Sequence, residues 1–341
     1  MRVRFALLFI FGLFASCNKE SIKPNDQPDE LRTDDTITVI NSNPGAPTTS
    51  AKSPYNLLGH GYNVTGQFTD SSAAGAQVID VAKLHEHDRV EIGITNTVSP
   101  KTIVSEDCAA YSQLLSSGMK ATEGSRLFKG AITSYFPEQD ALSDNYIYAS
   151  YTLNVVRKRV FMSNIPSVLQ QYVTDDFKKD IQNESPEKIV QKYGTHILRD
   201  ILLGAKLVVM YQAETVNKDR EKAAELGLTV AMNNVFKLFT GYLDYSNATS
   251  ATGNFSQKIS YKTFGGDMNK LIQTTSPGSK KPTVDISGWS QSLTTADEEF
   301  IDFNYNADVL VPLYEVIEDP VKREELKQYI TTYLADNQVK I

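Results

Sequence analysis

The chain has 341 residues, 41% hydrophobic and 10% aromatic, enough to bury a core in one large domain or two small ones; acidic side chains outnumber basic ones, giving a formal charge of -7. Collagenous, coiled-coil and wholly disordered chains are excluded by that composition. Nucleic acid is excluded as a partner, because phosphate binding needs a basic face and no block of Lys or Arg occurs. The same acidity would repel anionic lipid headgroups, so contact with a membrane calls for a receptor or an apolar insertion.

Arg2 and Arg4 precede an apolar run over residues 5–14, the layout of a secretory signal. The run falls short of the roughly 20 apolar residues that span a bilayer. Leu13-Phe14-Ala15-Ser16-Cys17 resembles a bacterial lipobox. That resemblance makes residues 1–16 a cleaved signal peptide and Cys17 the site of lipidation, although Phe14 stands where Leu is usual. Simple secretion is the alternative. Asn18 is not the aspartate that holds lipoproteins at the inner membrane, which points to the outer membrane or the cell surface. Cys17 and Cys108 are the only cysteines, so acylation of Cys17 leaves no intrachain disulfide. Residues 17–53 are rich in Pro, Asp, Asn, Ser and Thr, with little apolar besides residues 37–40; they read as a disordered tether reaching on the order of 100 Å.

Residues 54–341 read as one globular α+β domain. Alternation at residues 90–94, and again at Ile147, Ala149, Tyr151, Leu153 and Val155 with Ser150, Thr152 and Asn154 between, predicts strands. A helix is expected over residues 168–181. The next starts at Ser185-Pro186-Glu187 and buries Ile189, Val190 and Tyr193. Residues 201–210 form an apolar run, broken by Gly204 and Lys206, that suits a buried strand. An amphipathic helix is expected over residues 320–334.

Five motifs occur in order. They are Leu58-Gly59-His60-Gly61-Tyr62-Asn63-Val64-Thr65; Tyr193-Gly194-Thr195-His196; Leu203-Gly204-Ala205-Lys206; Phe264-Gly265-Gly266-Asp267; and Trp289-Ser290-Gln291-Ser292-Leu293 followed by Val311-Pro312-Leu313-Tyr314. Together they resemble the membrane attack complex/perforin (MACPF) domain family over residues 54 to about 317, in a bacterial, Bacteroidetes-type lipoprotein member. Ala205 departs from the family's second glycine. The resemblance implies a bent and twisted antiparallel four-stranded sheet, as in cholesterol-dependent cytolysins, flanked by two helical clusters. It also implies a homo-oligomeric ring whose clusters unfurl into amphipathic β-hairpins in a target membrane, reached through an unknown surface receptor or glycan, in competition between bacteria. The alternative is a non-lytic surface lipoprotein for adhesion or for glycan or host binding.

Read from the residues alone, Gly194 suits a helix C-cap and His196 a packed, hydrogen-bonded side chain. Gly265 and Gly266 would relieve crowding where a sheet bends. By position the clusters fall in residues 106–145 and 214–261. In the second, period two puts Leu226, Leu228, Val230, Met232, Phe236, Leu238 and Tyr242 on one face, with Asn234 and Thr240 interrupting it. Period 3.6 aligns Leu228, Met232, Val235, Phe239 and Tyr242 equally well, so helix and strand both remain open. Phe255, Ile259 and Tyr261 would face the same way on the return strand, and Phe128, Ile132 and Phe136 in the first cluster suit either structure. A segment of 226–242 exceeds the about 9 to 11 residues of a membrane strand. His85-Glu86-His87-Asp88 could offer metal ligands, but with no third ligand in view it reads as a solvated turn. No GxSxG, HExxH, P-loop or complete GxGxxG is present, so no enzyme, cofactor or metal is expected.

Overall fold

The computed structural model describes residues 37–43, 53–163, 165–236, 253–274, 283–292, 298–305 and 308–340. Cys17, the signal peptide and most of the tether lie outside them, as do Leu238, Phe239, Thr240, Tyr242 and Leu293.

Among the described residues the first element is β1 (Thr38–Asn41), followed by β2 (His60–Tyr62) and β3 (Ala74–Gln77). Helix α1 (Val81–Glu86), capped by Asp80, leads into β4 (Val90–Ser105), and α2 (Cys108–Ser116) and α3 (Gly130–Thr133) precede β5 (Tyr146–Met162). Then come α4 (Pro166–Leu169), α5 (Asp175–Asn183), α6 (Pro186–Tyr193), β6 (His196–Leu198) and β7 (Asp200–Thr215). Helix α7 (Arg220–Ala231) runs on through a π-turn (Met232–Phe236), and β8 (Asn254–Phe264), β9 (Ile272–Thr274), β10 (Thr283–Asp285), α8 (Ser287–Ser290), β11 (Glu299–Phe303), β12 (Leu310–Pro312) and α9 (Pro320–Asp336) complete the chain.

The main sheet runs β1-β8-β7-β5-β4, with β11 pairing the start of β7. Its four long strands, β4, β5, β7 and β8, are antiparallel, as the family resemblance implied. A line of irregularities crosses them at one level. The β4–β5 register shifts between Ile94 and Thr97, and the β5–β7 register between Val156 and Lys158, where Val156 faces Gly204. A Cβ on Gly204 would stand 2.0 Å from the Val155 carbonyl oxygen, so only glycine lets the strands meet there. Two residues on, Lys206 pairs with Phe264, the last residue of β8 before Gly265 and Gly266 at φ 64° and 65°. Bulges bend strands and glycines permit the bend, so the sheet folds along this line.

Alternation splits the sheet into two faces. Tyr151, Leu207, Val209, Tyr211, Ile259 and Tyr261 form an apolar core with α7. Ser150, Thr152, Lys206 and Gln212 face the opposite way, toward α2, α3 and the loop at 67–70. A second sheet, β12-β6-β2-β3, shares the larger core with α5, α6 and α9.

Three expectations need correction. Residues 38–41, read as part of a solvated tether, form β1. The helix expected over 168–181 is broken: Val173 is extended and bridges Ile79, and Thr174 caps the new helix α5 through the Phe177 N–H (3.3 Å). His85 and Glu86 end helix α1 rather than lying in a turn; His87 Nδ1 sits 2.6 Å from the Tyr172 hydroxyl, and the described residues hold no metal-binding cluster.

Candidate functional site

The motif Tyr193-Gly194-Thr195-His196 turns from α6 into β6 and joins distant parts of the chain. Ser185 caps α6 through the Lys188 N–H and Pro186 occupies its first turn. Gly194 ends the helix at φ 82°, its N–H donating to the Val190 carbonyl (2.8 Å). A Cβ there would meet Tyr62 C at 2.5 Å, and one on Gly61 would meet the Tyr193 carbonyl oxygen at 1.6 Å. Both glycines are therefore required by the approach of β2 to the end of α6. Thr195 N–H donates to the Tyr62 carbonyl (3.0 Å), Leu313 N–H donates to the Thr195 carbonyl (3.0 Å), and Val64 N–H donates to Thr195 Oγ1 (3.3 Å). His196 pairs with Tyr62 on one side and Pro312 on the other, its Nδ1 2.9 Å from Thr195 Oγ1. Burial pushes its pKa down to about 4, so it is neutral at physiological pH. The motif is a clasp holding the 58–65 and 311–314 segments together, and the contacts of His196 are those of a packing residue.

The second helical cluster rests on the apolar face. Helix α7 turns Ala223, Ala224, Gly227, Leu228 and Ala231 toward the sheet, and the π-turn continues with Met232, Val235 and Phe236. Leu226 and Val230 are half-buried, so in this conformation the helical period decides the burial. Gly227 lies so close to Tyr211 that a Cβ would stand 2.3 Å from the phenol Cζ. The Tyr211 hydroxyl donates to Gln257 Oε1 (2.7 Å) and accepts from Asn254 Nδ2 (3.2 Å); Asn254 Nδ2 also reaches the Ala223 carbonyl (2.8 Å). Ile259 and Tyr261 are buried beneath the helix, with Phe236 edge-on to Tyr261 at 5.5 Å. Phe255 does not join them. The β7–β8 register slips between Gln212 and Glu214, opposite Ser256 at φ 51°, and Asn254 takes the inward place instead.

The first cluster covers the other face. Phe128, Ile132 and Phe136 are fully buried in the larger core, Phe128 edge-on to Phe68 at 5.0 Å. Phe128 adopts φ 61°, strained for a bulky residue, and is held there by its burial and by its N–H bond to the Val64 carbonyl (2.9 Å). Cys108 on α2 is buried, its thiol directed at the Leu142 carbonyl (3.1 Å) and pushed up to about 11 by burial.

Between this cluster and the sheet lies a cavity of about 40 Å³ with a mixed lining, whose polar members include Asp70, Lys101, Tyr111, Ser134, Lys206 and Asp302. Lys206 is buried; its ammonium donates to the carbonyl (2.6 Å) and the hydroxyl (2.8 Å) of Thr69 and sits 4.2 Å from the centre of the Phe264 ring. Burial lowers its pKa to about 8. Asp70 pairs with Lys262 at 2.6 Å; burial alone would raise its carboxyl, but Lys262 and the Ser72 N–H hold it below the usual carboxylate range. Asp302 accepts from Asn154 Nδ2 (2.7 Å) and from the Tyr305 hydroxyl (2.7 Å). Sequence reasoning did not assemble this group. Its available signal was Lys206, a cation inside an otherwise apolar strand.

The arrangement defines a protein built on one bent antiparallel sheet, whose two hairpins, β4–β5 and β7–β8, each carry a helical insertion packed against the sheet. The family model of the MAC/Perforin domain matches residues 111–340, and the chain belongs to that family. Among solved structures it is similar to a MAC/Perforin-domain protein of Bacteroides thetaiotaomicron VPI-5482, with TM-score 0.66, 19% identity, and coverage of 86% of this chain and 64% of that one. It is also similar to GNIP1Aa from Chromobacterium piscinae, with TM-score 0.62, 16% identity, and coverage of 83% of this chain and 56% of that one. The chain thus spans less than two thirds of either relative, and at these identities the likeness is one of fold. No curated protein matches the chain in sequence.

Proposed function

We propose that this chain is a pore-forming lipoprotein of the outer membrane or cell surface. It assembles into a homo-oligomeric ring and inserts two β-hairpins per copy into a target membrane, in competition between bacteria. One observation carries the reading: each helical cluster interrupts an existing hairpin. Residues 106–145 join Ser105 of β4 to Tyr146 of β5, and residues 216–253 join Thr215 of β7 to Asn254 of β8, from registers already in antiparallel pairing. Unfurling would extend those ladders without breaking them. Each arm of such a hairpin, close to 20 residues, could reach about 60 Å, against about 30 Å of hydrocarbon. Residues 1–16 are the signal peptide, Cys17 the lipid anchor and residues 54–341 the body of the domain in this reading, and the chain acts without enzymatic chemistry.

The test is dye release from outer-membrane vesicles that bind the protein. Wild type is compared with an Ala223→Cys, Asn254→Cys variant, in which a disulfide ties α7 to β8 where the two already share a hydrogen bond. Release by wild type, absent from the oxidised variant and restored by reduction, is the expected result. Binding without release by wild type would refute insertion.

One observation favours a second reading, a non-lytic adhesion or glycan-binding module: Phe128, Ile132 and Phe136 belong to the main core rather than to a separable layer. A binding module would leave them in place.

A further inference from the structure

The two helical clusters lie on opposite faces of the main sheet, so a contact between them has to pass round its end. Arg220 makes that passage. It is the first residue of α7 and is half-buried, and its guanidinium reaches out of the helix to three backbone carbonyls. Nε donates to Glu106 (2.9 Å), and Nη2 donates to Asp144 (2.7 Å) and Tyr146 (3.1 Å). Glu106 is where the chain leaves β4 for the first insertion; Asp144 and Tyr146 are where it returns into β5. One side chain of the second insertion therefore holds both ends of the first.

The helix itself does not call for an arginine here. A helix N-terminus carries positive partial charge, which favours Asp and Glu and disfavours a cation. The cap Asp219 and the first-turn Glu221 follow that rule, and Arg220 between them opposes it. What the arginine gains lies outside α7. Its planar fork serves several acceptors at once, where a lysine offers a point charge, and hydrogen bonds from a charged donor are about twice as strong as neutral ones.

We propose that Arg220 is a positioning residue that couples the two insertions: the departure of either one breaks the same three bonds and lowers the cost of releasing the other. The inference rests on the pore-forming reading above and adds the contact through which the two hairpins act as a pair. Strand register makes both moves break it. The β4–β5 ladder ends with Ser105 opposite Tyr148; its continuation puts Glu106 opposite Ile147 and Asp107 opposite Tyr146. Glu106 must therefore leave its turn as soon as this hairpin lengthens. On the other side β7 ends at Thr215, and Tyr146 stands opposite Glu214. Drawn out as strand, Arg220 would lie about 16 Å beyond Thr215, farther than its side chain can reach back.

The full chain, Arg220→Met and Arg220→Lys are compared by hydrogen exchange in lipid-free buffer, read over residues 107–116 and 220–231. Arg220→Met is expected to speed exchange in both segments by about tenfold or more, the factor carried by one charge-assisted bond, with Arg220→Lys between it and wild type. A purely local role would move residues 220–231 alone, and the helix dipole alone would slow them; either result overturns the proposal. Should Arg220→Met not fold, Arg220→Lys decides on the same two segments. A second comparison, on outer-membrane vesicles, uses the oxidised Ala223→Cys, Asn254→Cys lock, so that α7 stays on β8. Faster exchange of residues 107–116 when Arg220→Met is added to the lock supports the coupling, and equal exchange overturns it. Neither readout depends on leakage. Coupled exchange in a protein that releases no dye refutes only the pore reading, and dye release with residues 107–116 indifferent to Arg220 refutes only this one.

Discussion

Gly227→Ala tests whether helix α7 is held on the sheet by shape. In an ordinary helix this change stabilises by about 1 kcal/mol, since glycine is the poorer helix former. Here the new Cβ would lie 2.3 Å from Tyr211 Cζ and from its hydroxyl oxygen, whereas carbons rest at about 3.5–4.0 Å. Either the helix lifts or the ring moves by more than about 1 Å. The ring is fully buried and its hydroxyl holds Gln257 and Asn254; losing those two bonds costs about 1 kcal/mol each, and overpacking of this kind costs about 1–3 kcal/mol. The net expectation is a loss of about 2 kcal/mol, concentrated on α7. If lifting α7 precedes membrane insertion, the open form becomes roughly thirtyfold more populated. Urea denaturation and hydrogen exchange over residues 220–231 read the first effect, and the dye-release rate reads the second. A Tyr211→Leu partner removes the ring that the new Cβ would meet, so in a double-mutant cycle Gly227→Ala should cost little in that background, although the hydroxyl's two bonds are lost there. A Gly227→Ala protein more stable than wild type would refute the argument, because it would mean that the helix rides up at no cost.

Other expectations concern buried charge. The pKa of His196 falls to about 4 on folding from about 6.5 unfolded, so the unfolded chain binds more protons between those values. Stability is complete above about pH 6.5 and declines by roughly 3 kcal/mol on descent to pH 4; His196→Gln should flatten that limb in urea titrations. Lys206, lowered to about 8, destabilises the fold at neutral pH, a penalty that shrinks as pH rises from 8 toward its unfolded value of about 10.4. Lys206→Met should accordingly raise the unfolding free energy at pH 7 by about 1–3 kcal/mol. Lys262→Ala leaves Asp70 charged and nearly buried and should cost about 3 kcal/mol, most of it regained with Asp70→Asn. Because the Asp70 carboxyl is held low, wild type keeps this contribution above its unfolded pKa of about 3.9 and loses it only as pH falls through the depressed value.

What the sequence made legible was local. The clasp at Tyr193 to His196 could be read because Ser185, Pro186 and Gly194 mark a helix start and stop within ten residues, and β5 because Ile147 to Val155 alternate without a break. The stretch from Leu226 could not be decided, since period two and period 3.6 both fit. The helix is favoured by Ala223, Ala224, Gly227 and Ala231, small residues that let a backbone settle on a sheet, and periodicity alone does not weigh them. Strand β1 was hidden by its polar flanks; its partner Ser260 is 218 residues from Ser42. Lys206 stood out in the apolar run, but its acceptor Thr69 is 137 residues away, and no local pattern reports such a pairing.

If the clusters open as proposed, the two faces of the sheet set an order of energetic demand. Beneath α2 and α3 the sheet presents Ser150, Lys206, Gln212, Lys258 and Lys262, bonded to Tyr111, Thr69, Ala141, Glu138 and Asp70. Lifting the first cluster would give these groups to water, which hydrates them and relieves the desolvation of Lys206. Lifting α7 would give water Tyr151, Leu207, Val209 and Ile259, at about 25 cal/mol per Å² of apolar surface exposed. The sheet therefore resists loss of α7 more than loss of α2 and α3. On the cluster side both insertions carry apolar side chains that would need new cover, Phe128, Ile132 and Phe136 in the first and Leu228, Met232, Val235 and Phe236 in the second. Under the proposed pore-forming function, a membrane would supply that cover. A closed barrel built from these strands would set one face to a wet lumen and the other outward, and the lysine-bearing face is the one that water can accept.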